Sequence, residues 1–339
     1  MKLLVTGAAG FIGSNFVHWL YQQANPSRVV VLDALTYAGN LANLKGVQEE
    51  STYRFVKGDI RDEELVKKLI QEEQPDVLVN FAAESHVDRS IIDPLAFVRT
   101  NVEGTQVLLN AARDLGVPKF LQVSTDEVYG SLGPEGRFTE DTPLDPSSAY
   151  SASKAGADLL ALACFTTYKQ HVMVTRCSNN YGPYQFPEKF IPLFTTNTLE
   201  EQPLPLYGDG KNVRSWLHVD DHSRALWKVI GAGRPGEVYN IGGARESEKE
   251  NVEVATAICD LLGKSTDLIR FVEDRKGHDR RYAVDYSKLQ SELGWEPEVT
   301  FDKGLEATVQ WYVENRPWWK DIKSGSYQEF YQLYYAGRV

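Results

Sequence analysis

Lys2-Leu3-Leu4-Val5-Thr6-Gly7-Ala8-Ala9-Gly10-Phe11-Ile12-Gly13 opens the chain and decides how the rest of it reads. The apolar run Lys2–Thr6 predicts a short strand, and Phe11–Gln23 has the character of a helix. Glycines between them allow a tight turn and a close backbone approach to a pyrophosphate at a helix N-terminus. The spacing is GxxGxxG rather than GxGxxG, and glycines also mark ordinary turns. Their place between an N-terminal strand and a helix is what favours a dinucleotide site, with Gly7, Gly10, Phe11, Ile12 and Gly13 as its candidate residues. Lys2 and the following apolar run superficially resemble a secretion signal. The three glycines break that run, and it continues into what reads as folded domain.

Twenty residues beyond Gly13, Asp33 ends the β-branched run Val29–Asp33. An acid there accepts hydrogen bonds from a ribose 2′-hydroxyl and repels a 2′-phosphate, so NAD is expected rather than NADP. A solvated loop acid is the competing reading, and the glycines weigh against it. Asp59-Ile60, after the strand-like Arg54–Lys57, sits where an adenine edge could be met, with a helix-capping Asp as the alternative.

Strand and helix patterns alternate through the first half: helical Glu63–Glu72, strand-like Val77–Phe81, helical Val102–Leu115 and strand-like Phe120–Ser124. That pace predicts an α/β protein, a Rossmann-type doubly wound parallel sheet with ligands beyond the carboxyl ends of its strands. After residue 178 prolines at 183, 187, 192, 203 and 205 punctuate a looser stretch. A strand-like Glu237–Ile241 and helical Val252–Leu262 and Leu305–Asn315 follow. The expected division is a cofactor domain, 1–178 with a return of the chain near 213–243, and a smaller mixed α/β substrate-binding lobe, mainly 179–339.

The 339 residues carry 36 Lys+Arg against 47 Asp+Glu, a formal charge of −11. Such acidity argues against a general nucleic-acid binder, because phosphate neutralisation needs a basic surface. Cys164, Cys177 and Cys259 lie far apart without CxxC spacing, which suits a reducing cytoplasm rather than a disulfide framework or zinc site. No apolar stretch reaches the length of a membrane span.

Tyr150 and Lys154 share one face of a predicted helix through i,i+4 spacing. A nearby ammonium favours the phenolate, so the tyrosine is expected to have a lowered pKa and to accept a proton from a sugar hydroxyl. YxxxK alone occurs by chance. Ser124-Thr125 at a strand end, together with the glycine loop, turns it into a three-part signature.

On these residues the chain resembles the extended short-chain dehydrogenase/reductase family, which works on nucleotide sugars. Asn80-Phe81-Ala82-Ala83, Asn101 and Asn179-Asn180-Tyr181-Gly182-Pro183 support the resemblance. The strings 84–90 (Glu-Ser-His-Val-Asp-Arg-Ser), 124–130 (Ser-Thr-Asp-Glu-Val-Tyr-Gly) and 277–282 (Gly-His-Asp-Arg-Arg-Tyr) resemble its 4,6-dehydratase branch. The resemblance implies tightly held NAD and an internal redox cycle. Tyr150 would take the C4 hydroxyl proton, Glu127 the C5 proton, and Asp126 would protonate the departing C6 hydroxyl, with Thr125 on the same substrate oxygen as Tyr150. It implies cofactor contacts from Ala82, Ala83, Asn101, Tyr150 and Lys154. It implies sugar-nucleotide contacts from His86, Asn179, Lys189, Pro205, Tyr207, Arg214, Asn251, Arg275 and His278. No metal is used. The implied substrate is dTDP-glucose; a UDP- or CDP-hexose, UDP-N-acetylglucosamine, or 4-epimerisation are the alternatives. The Asp126-Glu127 pair weighs against epimerisation, and an NAD-sensing regulator should lack the Tyr/Lys pair that is present. Relatives pair two helices across a twofold axis, which implies a homodimer through a four-helix interface at 101–115 and 151–169. His218 and His222 have metal-like i,i+4 spacing but read as structural. The aromatic tail at Tyr327, Phe330, Tyr331, Tyr334 and Tyr335 suits an amphipathic helix docking on the body.

Overall fold

Aliphatic runs that sequence reading marks as strands stack into one sheet, with side chains alternating between two buried faces. The computed structural model describes residues 1–274 and 278–324. Arg275 and the tail aromatics therefore lie outside the described residues. β1 (Lys2–Thr6) passes through the glycine loop into α1 (Phe11–Trp19), which runs on as a π-helical turn to Ala24. β2 (Arg28–Asp33), β3 (Tyr53–Lys57), α2 (Glu63–Glu73) and β4 (Val77–Asn80) follow. Asp62 caps α2 by accepting from the Leu65 N–H at 3.0 Å, so Asp59 is not the helix cap.

Beyond β4 come α3 (Val87–Ile92) and α4 (Pro94–Phe97), then a π-helical stretch to Gly104 that leads into α5 (Thr105–Asp114). The helix expected from Val102 thus begins earlier, because Asp93 accepts from the Ala96 N–H with Pro94 in the first turn. β5 (Lys119–Thr125), α6 (Ala149–Tyr168) and β6 (Val172–Cys177) complete this half. β6 is missing from the sequence expectations. Its apolar run is cut short by Thr175 and Arg176, both buried in the fold.

The second half holds β7 (Asn179–Tyr181), α7 (Phe190–Leu199), β8 (Leu204–Tyr207), β9 (Val213–His218), α8 (Val219–Ala232) and β10 (Val238–Ile241). β11 (Glu248–Glu250), α9 (Asn251–Leu261), β12 (Ile269–Val272), β13 (Arg281–Tyr282), α10 (Ser287–Leu293), α11 (Phe301–Glu314) and α12 (Arg316–Lys323) follow. The main sheet has the order β10-β6-β5-β4-β1-β2-β3 and is parallel throughout. Leu3, Val5, Val29 and Val31 bury one face with α1 and α8; Leu4, Val30, Leu32 and Leu78 bury the other with α2, α5 and α6. Helices on both faces explain why these strands read as nearly continuous apolar runs. α8 and β10 return to this sheet, whereas β9 belongs to a second sheet with β7, β11 and β13. A separate core of Tyr181, Ile191, Phe194, Trp216, Ile258 and Phe301 fills the second lobe.

Trp295 joins α8 to the chain entering α11: it is fully buried, and its indole N–H donates to the Asp221 carbonyl at 3.1 Å. Trp295→Ala should cost about 3–5 kcal/mol, as truncation of a buried aromatic does, read as a drop in the urea midpoint without loss of folded secondary structure.

Candidate active site

Gly7 follows β1 with φ +70, and a Cβ there would lie 2.5 Å from the Ala82 nitrogen just beyond β4. A Cβ on Gly13 would lie 2.7 Å from the Ala8 Cα. Glycine is therefore required at both positions: at Gly7 by conformation and space, at Gly13 by space alone. The carboxylate of Asp33 clamps this loop. One oxygen accepts from the Ala9 N–H and the other from the Leu35 N–H, each at 2.8 Å. Burial raises the Asp33 carboxyl, and those two backbone donors hold it back. Asp59 is paired with Arg61 at 2.6 Å, chiefly a hydrogen bond that lowers its carboxyl.

These residues line one cleft of about 480 Å³ at the carboxyl ends of the strands. Gly7, Gly10, Phe11, Ile12, Gly13, Asp33, Asp59, Ile60, Ala82 and Ala83 all face it, as do Thr125, Asp126, Glu127, Tyr150 and Lys154. Asn101 does not line it. It is buried behind the wall, bonded to both backbone groups of Glu84 (2.9 and 3.0 Å) and to the Ser153 hydroxyl (2.8 Å), and so it fixes the loop after Ala83.

Ser148 and Ser151 form a reciprocal cap at the start of α6, which sets Tyr150 in its first turn. Thr125 ends β5 and caps the short 3₁₀ turn Asp126–Tyr129 by accepting from the Glu127 N–H at 3.3 Å. The strand end and the helix start thus meet. Burial and the neighbouring Glu127 push the Asp126 carboxyl well above the usual range. Glu127 is only half-buried, so the two adjacent carboxyls occupy different environments. The lowered pKa expected of Tyr150 is not what this chain by itself produces. Burial, then Glu127, raise the phenol well above its ordinary value, with Thr125 lowering it as a hydrogen-bond partner. One reason is the direction of Lys154, whose ammonium donates to the Val123 carbonyl at 2.7 Å.

A second cleft of about 170 Å³ adjoins the first and shares Glu127, Asn179, Asn180, Gln185, Glu188 and Lys189 with it. His86, Pro205, Tyr207, Arg214, Asn251 and His278 line this second cleft. Lys189 donates to the Ser85 carbonyl at 2.9 Å, and His278 pairs with Asp274 at 2.6 Å. Arg214 lies over the Tyr282 ring at 4.5 Å and donates to the Asp279 carbonyl at 3.0 Å. Sequence reading missed Glu188 and Tyr282. Glu188 is buried beside Arg89 (3.5 Å) and is pushed up to about 7 by burial. Its place beside Lys189 was the available signal. His222 is buried with a ring nitrogen 2.9 Å from the Asn180 side-chain oxygen, behind the cleft wall.

The sequence model described as GDP-mannose 4,6 dehydratase matches residues 4–308. The dTDP-glucose 4,6-dehydratase of Xanthomonas campestris pv. campestris (strain B100) is 54% identical, covering 96% of this chain and 97% of that protein. The chain belongs to the dTDP-glucose 4,6-dehydratase family. Two crystal structures of that family agree, each covering 95% of this chain and 100% of theirs. The enzyme from Streptomyces venezuelae, solved with NAD bound, is 54% identical with a TM-score of 0.92. That from Bacillus anthracis str. Ames, in complex with NAD, is 55% identical with a TM-score of 0.90.

The glycine cradle fits the NAD bound in those two crystal structures, since any side chain at Gly7 or Gly13 would collide with backbone. Gly13→Val should leave the purified protein with less than about a tenth of the parent's nicotinamide, because the loop must shift where backbone approaches the pyrophosphate; acid release followed by an enzymatic nicotinamide assay measures it.

Proposed function

We propose that the chain dehydrates dTDP-glucose to dTDP-4-keto-6-deoxyglucose with NAD held throughout, a hydro-lyase without net redox change. The observation that carries this reading is the Asp126-Glu127 pair beside Tyr150. One carboxyl is buried and raised well above its ordinary range by that burial and by its neighbour, and the other sits where the two clefts join. Carboxyls split in this way suit one acid and one base. The chemistry supplied by bound NAD is hydride acceptance at the sugar C4 and its return to C6.

In this reading Tyr150 removes the C4 hydroxyl proton while Thr125 hydrogen-bonds the same oxygen. Lys154, a turn further along α6, keeps positive charge near the phenol. Glu127 takes the C5 proton that the 4-keto group acidifies, Asp126 protonates the departing C6 hydroxyl as water leaves, and C5 is reprotonated once C6 is reduced. Gly7, Gly10, Phe11, Ile12, Gly13, Asp33, Asp59, Ile60, Ala82 and Ala83 hold the cofactor, and Asn101 braces them. His86, Asn179, Lys189, Pro205, Tyr207, Arg214, Asn251, Arg275 and His278 take the sugar nucleotide. Residues 1–178 with the return through α8 and β10 form the cofactor domain, and the remainder is mainly the substrate lobe.

The protein acts in the cytoplasm as a homodimer. Among the described residues no helix is long and apolar enough to cross a membrane. Leu108 and Leu109 are spent against the sheet, but Leu159 on α6 is 57% exposed, and Leu95 and Val98 ahead of α5 are 60% and 47% exposed. A face of this kind supports pairing of the helices across a twofold axis. Light scattering at micromolar concentration should give twice the chain mass, and Leu159→Asp should shift it toward the monomer; a monomeric parent overturns the pairing.

Incubation with dTDP-glucose should give the alkaline absorbance of a 4-keto sugar, and the parent's failure to do so would sink the substrate assignment. Glu127→Gln should still oxidise C4, seen as bound NADH, and should slow water loss by about 10²–10⁴-fold, the usual worth of a positioned base. A variant that eliminates at the parent rate removes Glu127 from the reaction.

A further inference from the structure

Trp318 stands on α12, far along the chain from the glycine loop, yet one side chain links the two. That side chain is Asn43, in the 3₁₀ turn Leu41–Leu44 beyond β2. The Trp318 indole N–H donates to Asn43 Oδ1 at 2.9 Å, and Asn43 Nδ2 donates to the Ala9 carbonyl at 2.8 Å. Asn43 is 2% exposed, and its own carbonyl lies 2.8 Å from His18 Nε2 on α1. Trp318 meets Trp311, Tyr184 and Tyr312 edge-on, with ring centroids at 5.1, 6.0 and 6.2 Å. The adjacent Trp319 is fully buried and donates to the Tyr312 carbonyl at 2.8 Å. One indole thus pins α12 to α11, whose Phe301, Leu305 and Val309 belong to the core of the second lobe, while the other reaches the cofactor side.

Packing alone does not call for this relay. A buried amide is costly unless its polar atoms find partners, and an apolar side chain at position 43 would fill space without that demand. The relay has a direction instead. An indole N–H only donates, so the amide oxygen faces Trp318 and the amide nitrogen faces Ala9. Ala9 is thereby held on both backbone groups. Its N–H donates to Asp33 at 2.8 Å, and its carbonyl accepts from Asn43 and from the Asn40 N–H at 3.0 Å. A carbonyl bound by two donors is not free to swing toward an anion. The residues that follow it, Gly10, Phe11, Ile12 and Gly13, line the first cleft, and the opening N–H groups of α1 have no acceptor within the helix. They are the donors a pyrophosphate would meet, and their aim depends on the Ala9 peptide before them.

We propose that Trp318 and Asn43 are positioning residues for NAD: the indole of α12 orients the Asn43 amide, which fixes the Ala9 carbonyl and with it the N–H groups offered to the pyrophosphate. A helix that follows the second lobe's core thus carries part of the cofactor's retention. The proposal rests on the glycine loop as the NAD cradle.

The test uses the holoprotein with its copurified NAD. Release is read by exchange against an excess of radiolabelled NAD, and the loop itself by deuterium uptake in the peptide covering residues 7–13. Trp318→Phe keeps a ring in the aromatic cluster and removes the donor. It should speed NAD release by about three- to tenfold, the weight of one neutral hydrogen bond, and raise deuterium uptake in the loop. Asn43→Asp keeps an acceptor for Trp318 but sets a carboxylate oxygen against the Ala9 carbonyl, so NAD should leave faster still. That variant buries a new charge and can fail to fold, in which case Trp318→Phe decides. Trp311→Phe loosens the same cluster and leaves the Trp318 indole in place. It should lower the urea midpoint at least as far as Trp318→Phe does, with NAD release at the parent's rate. Release that simply follows the urea midpoint across the variants overturns the proposal, as does release at the parent's rate in Trp318→Phe. A parent that carries no nicotinamide would instead defeat the cradle reading, and deuterium uptake in the loop would still decide the place of Trp318 and Asn43.

Discussion

The approach of Gly7 to Ala82 is the constraint on which the rest of the molecule depends. β1 and β4 are neighbours in the sheet although β2, β3 and α2 separate them in the chain, so the strand order reverses between them. Loops leaving the two strands diverge there and open a crevice at their carboxyl ends. The crevice is closed at its base by backbone against backbone, with space at Gly7 for a hydrogen and nothing larger. Asp33 fastens the same loop from the β2 side through the Ala9 N–H. A dinucleotide anion can then be met by N–H groups, which bring no net positive charge to an acidic chain.

Basic side chains of the second cleft are placed differently. Lys189, Arg214 and His278 come from separate stretches, and each is oriented by protein oxygen: the Ser85 and Asp279 carbonyls and the Asp274 carboxylate. The formal charge of −11 therefore says little about the ligand. It excludes wrapping by a polyanion, while a few prepositioned cations in a narrow cleft still suit a diphosphate, because field strength there depends on local geometry and low dielectric.

The titratable side chains of the first cleft gather where β5 ends and α6 begins. Two capping arrangements, Thr125 over the 3₁₀ turn and Ser148 with Ser151 on the helix, orient the carboxyl pair and the phenol toward each other. Burial then divides two chemically similar side chains: Asp126 is enclosed, and Glu127 faces both clefts. The same burial acts against ionisation of Tyr150 and of Lys154, so the charges around them, and not the YxxxK spacing alone, decide which protons can move.

Local chemistry was legible from sequence alone wherever a residue type and its near neighbours are enough. The glycine loop, Asp33 at a strand end, Tyr150 with Lys154, and the runs that became β1, β2, β4 and β5 are of this kind, because turn sterics, helical periodicity and two-sided burial act over a few residues. β6 escaped that reading because Arg176 interrupts it, and Arg176 is held there by Asp158, eighteen residues earlier on another element, and by the Tyr129 hydroxyl. Glu188 and Asn101 escaped in their roles for the same reason: one is a buried acid beside a cation expected to bind, the other braces a wall it does not line. Protonation, the direction of Lys154 and the meeting of the two clefts were decided only by the tertiary structure, since desolvation and Coulomb interactions depend on distances through space that the order of residues does not contain.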